Sequence, residues 1–184
     1  SDIGLDHLAH NRMYKAMAYQ ESCLYITKIL AENPDYEILY YTNSLNNLAE
    51  AYKRQNRLDE AIRLEEESLE ITKELNSEDT SYWAYIYIMA LNGLANSYYE
   101  QNRSDKAIRL QEENLEITKE LYSENPSLLA ESYTRALNNL ANAYSQQNRS
   151  DKAIRLHEEN LEITKELYSE NTSRWADNYV SALN

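Results

Sequence analysis

The chain repeats itself at a fixed interval. LNNLAEAY begins at Leu45, LNGLANSY at Leu91 and LNNLANAY at Leu137, each 46 residues after the last, and a further LN stands at Leu183. A period of this size is the mark of a stacked array, in which each unit buries its apolar face only against its neighbours. That constraint settles architecture before composition is consulted. It moves the question of function from a catalytic pocket to surfaces.

The copies are close. SDKAIRLQEENLEITKELYSEN (104–125) and SDKAIRLHEENLEITKELYSEN (150–171) differ only at Gln111 and His157. A degenerate copy precedes them: HNRMYKA (10–16) matches QNRLDEA (55–61), and ITKIL (26–30) matches ITKEL (71–75), at an offset of 45. The expected units are about 1–44, with a partial first helix, then 45–90, 91–136 and 137–182, with 183–184 opening another. Together they form one domain over 1–184. Each unit reads as two helices. Trp83, Tyr87, Leu91, Leu94 and Tyr98 recur at helical spacing and predict a first helix near Ser81–Gln101. Ala107, Ile108, Leu110, Leu115, Ile117 and Leu121 mark the buried side of a second helix near Ser104–Tyr122.

The turns carry their own chemistry. Asn56, Asn102 and Asn148, each followed by Arg, stand where the chain must reverse, as does Asn11. Asn tolerates positive φ best after Gly, so it takes the Gly role here. Ser104 and Ser150 are then expected to cap the second helix, with Asp105 and Asp151 near its positive end. SENPS (123–127) and AENPD (31–35) form the other turn, where Pro stops the preceding helix. Asp59–Arg63, Asp105–Arg109 and Asp151–Arg155 have the i, i+4 spacing of ion pairs. The Glu65–Glu66–Glu67 run reads as self-repelling, so apolar packing must hold the helices.

With 2 Gly and 2 Pro in 184 residues, long unbroken helices fit and a turn-rich sheet protein does not. Hydrophobic residues make up 42%, enough for a folded chain. The net charge of −13 argues against nucleic acid and anionic membranes as partners, and reads as a solvated outer face. No apolar stretch is long enough for a transmembrane helix, and SDIGLDHLAH lacks a signal pattern. The chain opens on Ser1 rather than Met, as an excerpt would. Cys23, the single cysteine, fits a reducing compartment, and the expected location is the cytoplasm.

The unit LNNLANAYSQQNRSDKAIRLHEENLEITKEL resembles the tetratricopeptide repeat. Leu137, Leu140, Ala141 and Tyr144 match that family's first-helix pattern, as do Leu45, Leu48, Ala49, Tyr52 and Leu91, Leu94, Ala95, Tyr98. Ala61, Ala107 and Ala153 match the alanine that opens its second helix. In the first unit Ile3, Gly4 and Ala16 keep fragments, with His7 where Tyr is expected. The period of 46 exceeds the family's common length, and Glu65, Gln111 and His157 replace an expected aromatic. LNNLA with long helices looks most like the extended repeats of kinesin light chains and of bacterial signalling proteins. The resemblance implies an all-α, right-handed superhelical solenoid of antiparallel helix pairs. It also implies a concave groove, lined by first helices, in which peptides lie.

The face opposite the packing stripe then supplies the candidate peptide-binding residues. They are Asn43, Asn46 and Lys53; Tyr85, Met89, Asn92, Asn96 and Tyr99; and Arg135, Asn138 and Asn142. Asn46, Asn92 and Asn138 form a ladder, continued by Asn184. A side-chain amide both donates and accepts, so it suits a peptide backbone of any sequence, and the resemblance carries that clamping role to these positions. The alternative is that they bond to a neighbouring repeat or to water. Tyr85, Met89 and Tyr99 are candidate apolar anchors; Lys53 and Arg135 are candidate acid-binding ones. The chain has 17 Tyr and no Phe. Tyr41, Tyr52, Tyr87, Tyr98, Tyr133, Tyr144 and Tyr179 fall on the packing face, which makes them scaffold with the hydroxyl at an edge.

Nothing points to an enzyme. His7 and His10 share a face without a third ligand, His157 is Gln in the sister repeat, and no phosphate loop, HExxH or GxSxG occurs. Cys23 aligns with Ser68, Asn114 and Asn160, a small-residue packing site. No cofactor or metal is expected. The reading is a non-enzymatic protein–protein interaction scaffold that binds a protein or peptide segment. Two alternatives stand beside it: a homo-oligomer stacking through the solenoid ends, and a regulatory array of a larger signalling protein.

Overall fold

The structure is a computed structural model that describes residues 17–18, 20–25, 27–28, 38–78 and 80–183. The turn at Asn11, the pair His7 and His10, the AENPD turn and Asn184 lie outside the described residues. The chain divides into two compact units, Ser1–Gln101 and Asn102–Asn184. The first holds α1 (Ile38–Lys53), α2 (Leu58–Glu78) and α3 (Thr80–Glu100), with the described residues of 17–28 also helical. The second holds α4 (Ser104–Glu124), α5 (Pro126–Gln146), α6 (Ser150–Glu170) and α7 (Thr172–Leu183). Within each unit every helix packs on the next in sequence, and no strand occurs among the described residues. The fold is an all-α helical repeat.

The recurring leucines and alanines build the core. Leu45, Leu91 and Leu137 are fully buried, as are Ala49, Ala95 and Ala141 one turn on. Burying a leucine stabilises by about 1.5–3 kcal/mol relative to exposure. The alanines, with Ala61 and Ala107, let neighbouring helices approach closely. Thr72, Thr118 and Thr164 are buried mid-helix, and each hydroxyl donates to the carbonyl four residues back, at 2.7–2.9 Å.

The Asn turns form as their chemistry demands. Asn56, Asn102 and Asn148 have φ of 58°, 59° and 57°. Asn56 N–H donates to Lys53 O at 2.8 Å and Arg57 N–H to Tyr52 O at 3.0 Å. Asn148 and Arg149 repeat this on Ser145 and Tyr144, at 3.0 and 2.9 Å. These are the paired bonds that close a helix on a left-handed residue. The arginine then folds back: Arg57 lies 4.4 Å over the Tyr52 ring and Arg149 4.6 Å over Tyr144.

Ser104 and Ser150 are not caps. They are the first helical residues, preceded at the cap position by Arg103 and Arg149, which make no side-chain cap bond. The left-handed Asn reverses the chain so sharply that helix begins one residue earlier than a serine cap requires. The other turn does cap: Asn125 Oδ1 accepts from Leu128 N–H at 3.4 Å, with Pro126 opening α5. Asn171 Oδ1 accepts from Arg174 N–H at 3.2 Å in a repeat that has no proline. The expected Asp–Arg pairs do not form among the described residues. Asp59 instead accepts from Gln101 Nε2 of the neighbouring first-helix segment at 2.8 Å. Asp105 accepts from Gln147 at 3.4 Å.

The acid run is the largest departure from the sequence reading. Its three carboxylates face three different donors. Glu65, 5% exposed, takes Lys53 Nζ at 3.1 Å. Glu66 accepts from the hydroxyl of Tyr98 on α3, and Glu67 from that of Tyr41 on α1. The second unit repeats the scheme: Tyr133 donates to Glu159 and Tyr144 to Glu112. Tyr52 donates to Glu21 at 3.0 Å. At these positions tyrosine is therefore used for its hydroxyl as well as its ring, which phenylalanine could not replace. Burial, then the hydrogen bond and charge of the adjacent glutamate, push the Tyr41 and Tyr133 hydroxyls well above the ordinary phenol range.

Gly93 stands in mid-α3 where the sister repeats carry Asn47 and Asn139. A Cβ there would meet only Glu65 Oε1 at 3.8 Å, an ordinary contact. Gly93→Ala should therefore stabilise the chain by about 0.5–1 kcal/mol through helix propensity. A urea midpoint that moves down instead would show a clash at that position.

Candidate peptide-binding face

The packing stripe of each first helix fixes what the other side presents. In α3, Tyr87, Leu91, Leu94 and Tyr98 are buried. Stepping along the opposite side, Tyr85 is 53% and Met89 55% exposed, Asn92 is half-buried and Asn96 is exposed. On α1, Asn43 is exposed and Asn46 half-buried. On α5, Arg135 and Asn142 are exposed and Asn138 is half-buried between them, opposite buried Tyr133, Leu137, Leu140 and Tyr144.

Lys53 and Tyr99 are less open than the spacing implies. Lys53, expected as an open cationic anchor, is held by Glu65 at 3.1 Å and Glu50 at 3.2 Å. Burial alone would lower its pKa; the charge and hydrogen bonds of Glu65 and Glu50 outweigh that and raise it. Tyr99, expected as an apolar anchor, is half-buried with its hydroxyl enclosed and unbonded, and burial raises its pKa. Both residues sit at the end of a first helix, where the reversing chain folds over positions that helical spacing alone leaves open.

Asn138 is engaged at one end. Its Oδ1 accepts from Asn160 Nδ2 on α6 at 2.8 Å. Asn160 is a residue the sequence reading placed among packing sites. Its recurrence as a polar side chain, Ser68 and Asn114 in the sister repeats, was the signal available. All three are buried, at 0–1% exposure.

No group of three or more metal-ligating side chains occurs among the described residues. No helix among them is long and apolar enough to cross a membrane. Cys23 is half-buried, and His157 is exposed.

Comparison with known proteins bears on this geometry. BtubC (BKLC) from P. vanneervenii superposes with a TM-score of 0.68 at 23% identity, over 91% of this chain and 63% of that one. The chain thus spans under two thirds of the length of that protein. A putative kinesin light chain from Podosopora anserina, with nearly identical TPR-like repeats, gives 0.65 at 24% identity, over 98% of this chain and 82% of that one. The Rap conjugation gene regulator of plasmid pLS20, in complex with the Phr* peptide, gives 0.55 at 14% identity, over 97% and 50%. A search of curated protein sequences finds no match. Family profiles described as tetratricopeptide repeat match residues 42–81 and 86–166. Those spans contain the Leu–Leu–Ala–Tyr stripe, the left-handed Asn turn and the alanine that opens the next helix, and by them the chain belongs to the tetratricopeptide-repeat family.

Proposed function

We propose that the chain is a non-enzymatic protein-interaction scaffold that holds an extended peptide segment along the open side of its first helices. The observation that carries this is the stripe on α3. Tyr85 and Met89, one turn apart, are more than half exposed, and Asn92 and Asn96 continue the same line. Two large apolar side chains followed by amides offer what a peptide needs: pockets for side chains and bonding for the backbone. A solved structure of the same fold holds a peptide, which supports the reading at the level of fold.

Energetics assign the parts. A net hydrogen bond contributes about 0.5–1.5 kcal/mol, and micromolar binding requires about 8 kcal/mol. The amides therefore orient a peptide, while Tyr85 and Met89 supply much of the affinity. The test is retention of a pool of random acetylated, amidated hexapeptides on the immobilised chain. Tyr85→Ser with Met89→Ser should lower retention by at least about tenfold, since burying each anchor on binding contributes roughly 1.5 kcal/mol. Helicity should not change. Equal retention by the native and doubly substituted chains would remove the α3 stripe as the site.

A further inference from the structure

Asn160 lies on α6, 1% exposed, and its Nδ2 donates to Asn138 Oδ1 at 2.8 Å. Asn138 sits on the open stripe of α5, and its own Nδ2 has no partner among the described residues. The repeat that holds Asn46 differs. There the counterpart of Asn160 is Ser68, fully buried with its Oγ unbonded. Asn46 correspondingly makes no side-chain hydrogen bond among the described residues. The second helix therefore sets the amide at 138 and leaves the one at 46 unset.

We infer that Asn160 is a positioning residue that makes Asn138 a one-way donor, so that this repeat grips an extended peptide by a backbone carbonyl and makes no demand on the peptide N–H. The inference rests on the peptide-scaffold reading above. An unset amide can hold one peptide residue at two points, donating to its C=O and accepting from its N–H. At Asn138 the bond from buried Asn160 holds the oxygen toward α6, so that Nδ2 is the end of the amide left to meet a peptide on the open side. Withdrawing that bond would strand a buried N–H, at a cost comparable to what a new peptide bond returns. The peptide residue served by Asn138 can therefore lack an N–H, as proline does. The one served by Asn46 is held at both points.

The probe is the most retained sequence from the hexapeptide pool, resynthesised with each backbone N–H replaced in turn by an ester oxygen. Asn138→Asp keeps the acceptor for Asn160 and removes both donors; affinity should fall about 3- to 10-fold, the range for one neutral hydrogen bond. Asn160→Ser installs the residue that the repeat of Asn46 already carries, Ser68. It should free Asn138 to accept, and so add one position to the ester scan that costs about 3- to 10-fold and that the native chain lacks. A packing defect alone would weaken every ester by a common factor and add no position. Unchanged affinity in Asn138→Asp, or identical ester profiles for the native and Asn160→Ser chains, would overturn the inference while leaving the scaffold reading intact. Retention of no peptide at all would overturn the scaffold reading, and the inference with it.

Discussion

Leu137→Ala should destabilise the chain by about 2–5 kcal/mol, the range for removing a fully buried leucine side chain. Leu137 is 0% exposed in the middle of α5, which packs on both α4 and α6. Its flanks are equally closed: Ala136, Leu140 and Ala141 are at most 3% exposed. A cavity there is walled by helices on two sides and has little freedom to collapse, which places the effect in the upper part of the range. The control is on the same helix. Leu128 is 71% exposed, and Leu128→Ala should stay within about 0.5 kcal/mol of the native chain. Urea denaturation of the three proteins checks both values. Equal midpoints would mean that the repeated leucine is not the keystone of its unit.

Tyr133→Phe should cost about 1–2 kcal/mol at neutral pH and should also flatten the loss of stability in alkali. The substitution keeps the ring, which is 2% exposed and stacks on Tyr122 with centroids 4.9 Å apart. It removes only the hydroxyl bond to Glu159. A bond to a charged group is worth about 1.5–3 kcal/mol, and the partial exposure of Glu159 lets water replace some of that. The alkaline effect follows from the direction of the shift. The folded-state pKa values of Tyr41 and Tyr133 lie above the unfolded value of 10.0, so the fold retains protons that the unfolded chain releases. Stability is then full below pH 10 and falls as pH rises beyond it, by at most about 1.4 kcal/mol per pH unit for each such proton. Lys53, also raised, acts in the same direction. Tyr133→Phe lacks one of these protons, so its urea midpoints should converge on the native ones between pH 9 and pH 11. Parallel curves would show that the hydroxyl keeps no proton through folding.

Features decided by local chemistry were legible in the sequence. The left-handed Asn, the Leu–Leu–Ala–Tyr stripe and helix ends within one or two residues all follow from neighbours within a few positions. Features decided by a partner far along the chain were not. Glu66 and Glu67 look self-repelling until Tyr98 and Tyr41 arrive from 32 and 26 residues away. Lys53 looks open until the chain turns and brings Glu65 over it. Ser104 looks like a cap because the preceding Asn–Arg turn, which starts the helix early, leaves no mark on the serine itself. On the candidate face the exposed stripe of α3 was readable from spacing. The fixing of Asn138 by Asn160 was not, because a buried polar residue and a buried small one leave the same trace in a repeat pattern.

The tyrosine–glutamate bonds bear on how such a chain can grow. Tyr133, on α5, bonds forward to α6, the helix that follows, and Tyr144, on the same α5, bonds back to α4, the helix before. Tyr41 and Tyr98 divide the same way on α2. A segment that runs from a first helix through the second helix after it thus carries one complete bond within itself, as at Tyr41–Glu67 and Tyr133–Glu159, and half of a backward bond, as Tyr144 does toward Glu112. Duplicating or deleting a whole segment strands no internal hydroxyl and no internal carboxylate, and a residue lost in a turn is absorbed: the first copy lies at an offset of 45, yet Tyr52 still reaches Glu21. Inheritance of the array in whole units, visible in the near identity of residues 104–125 and 150–171, is what this bonding rule permits.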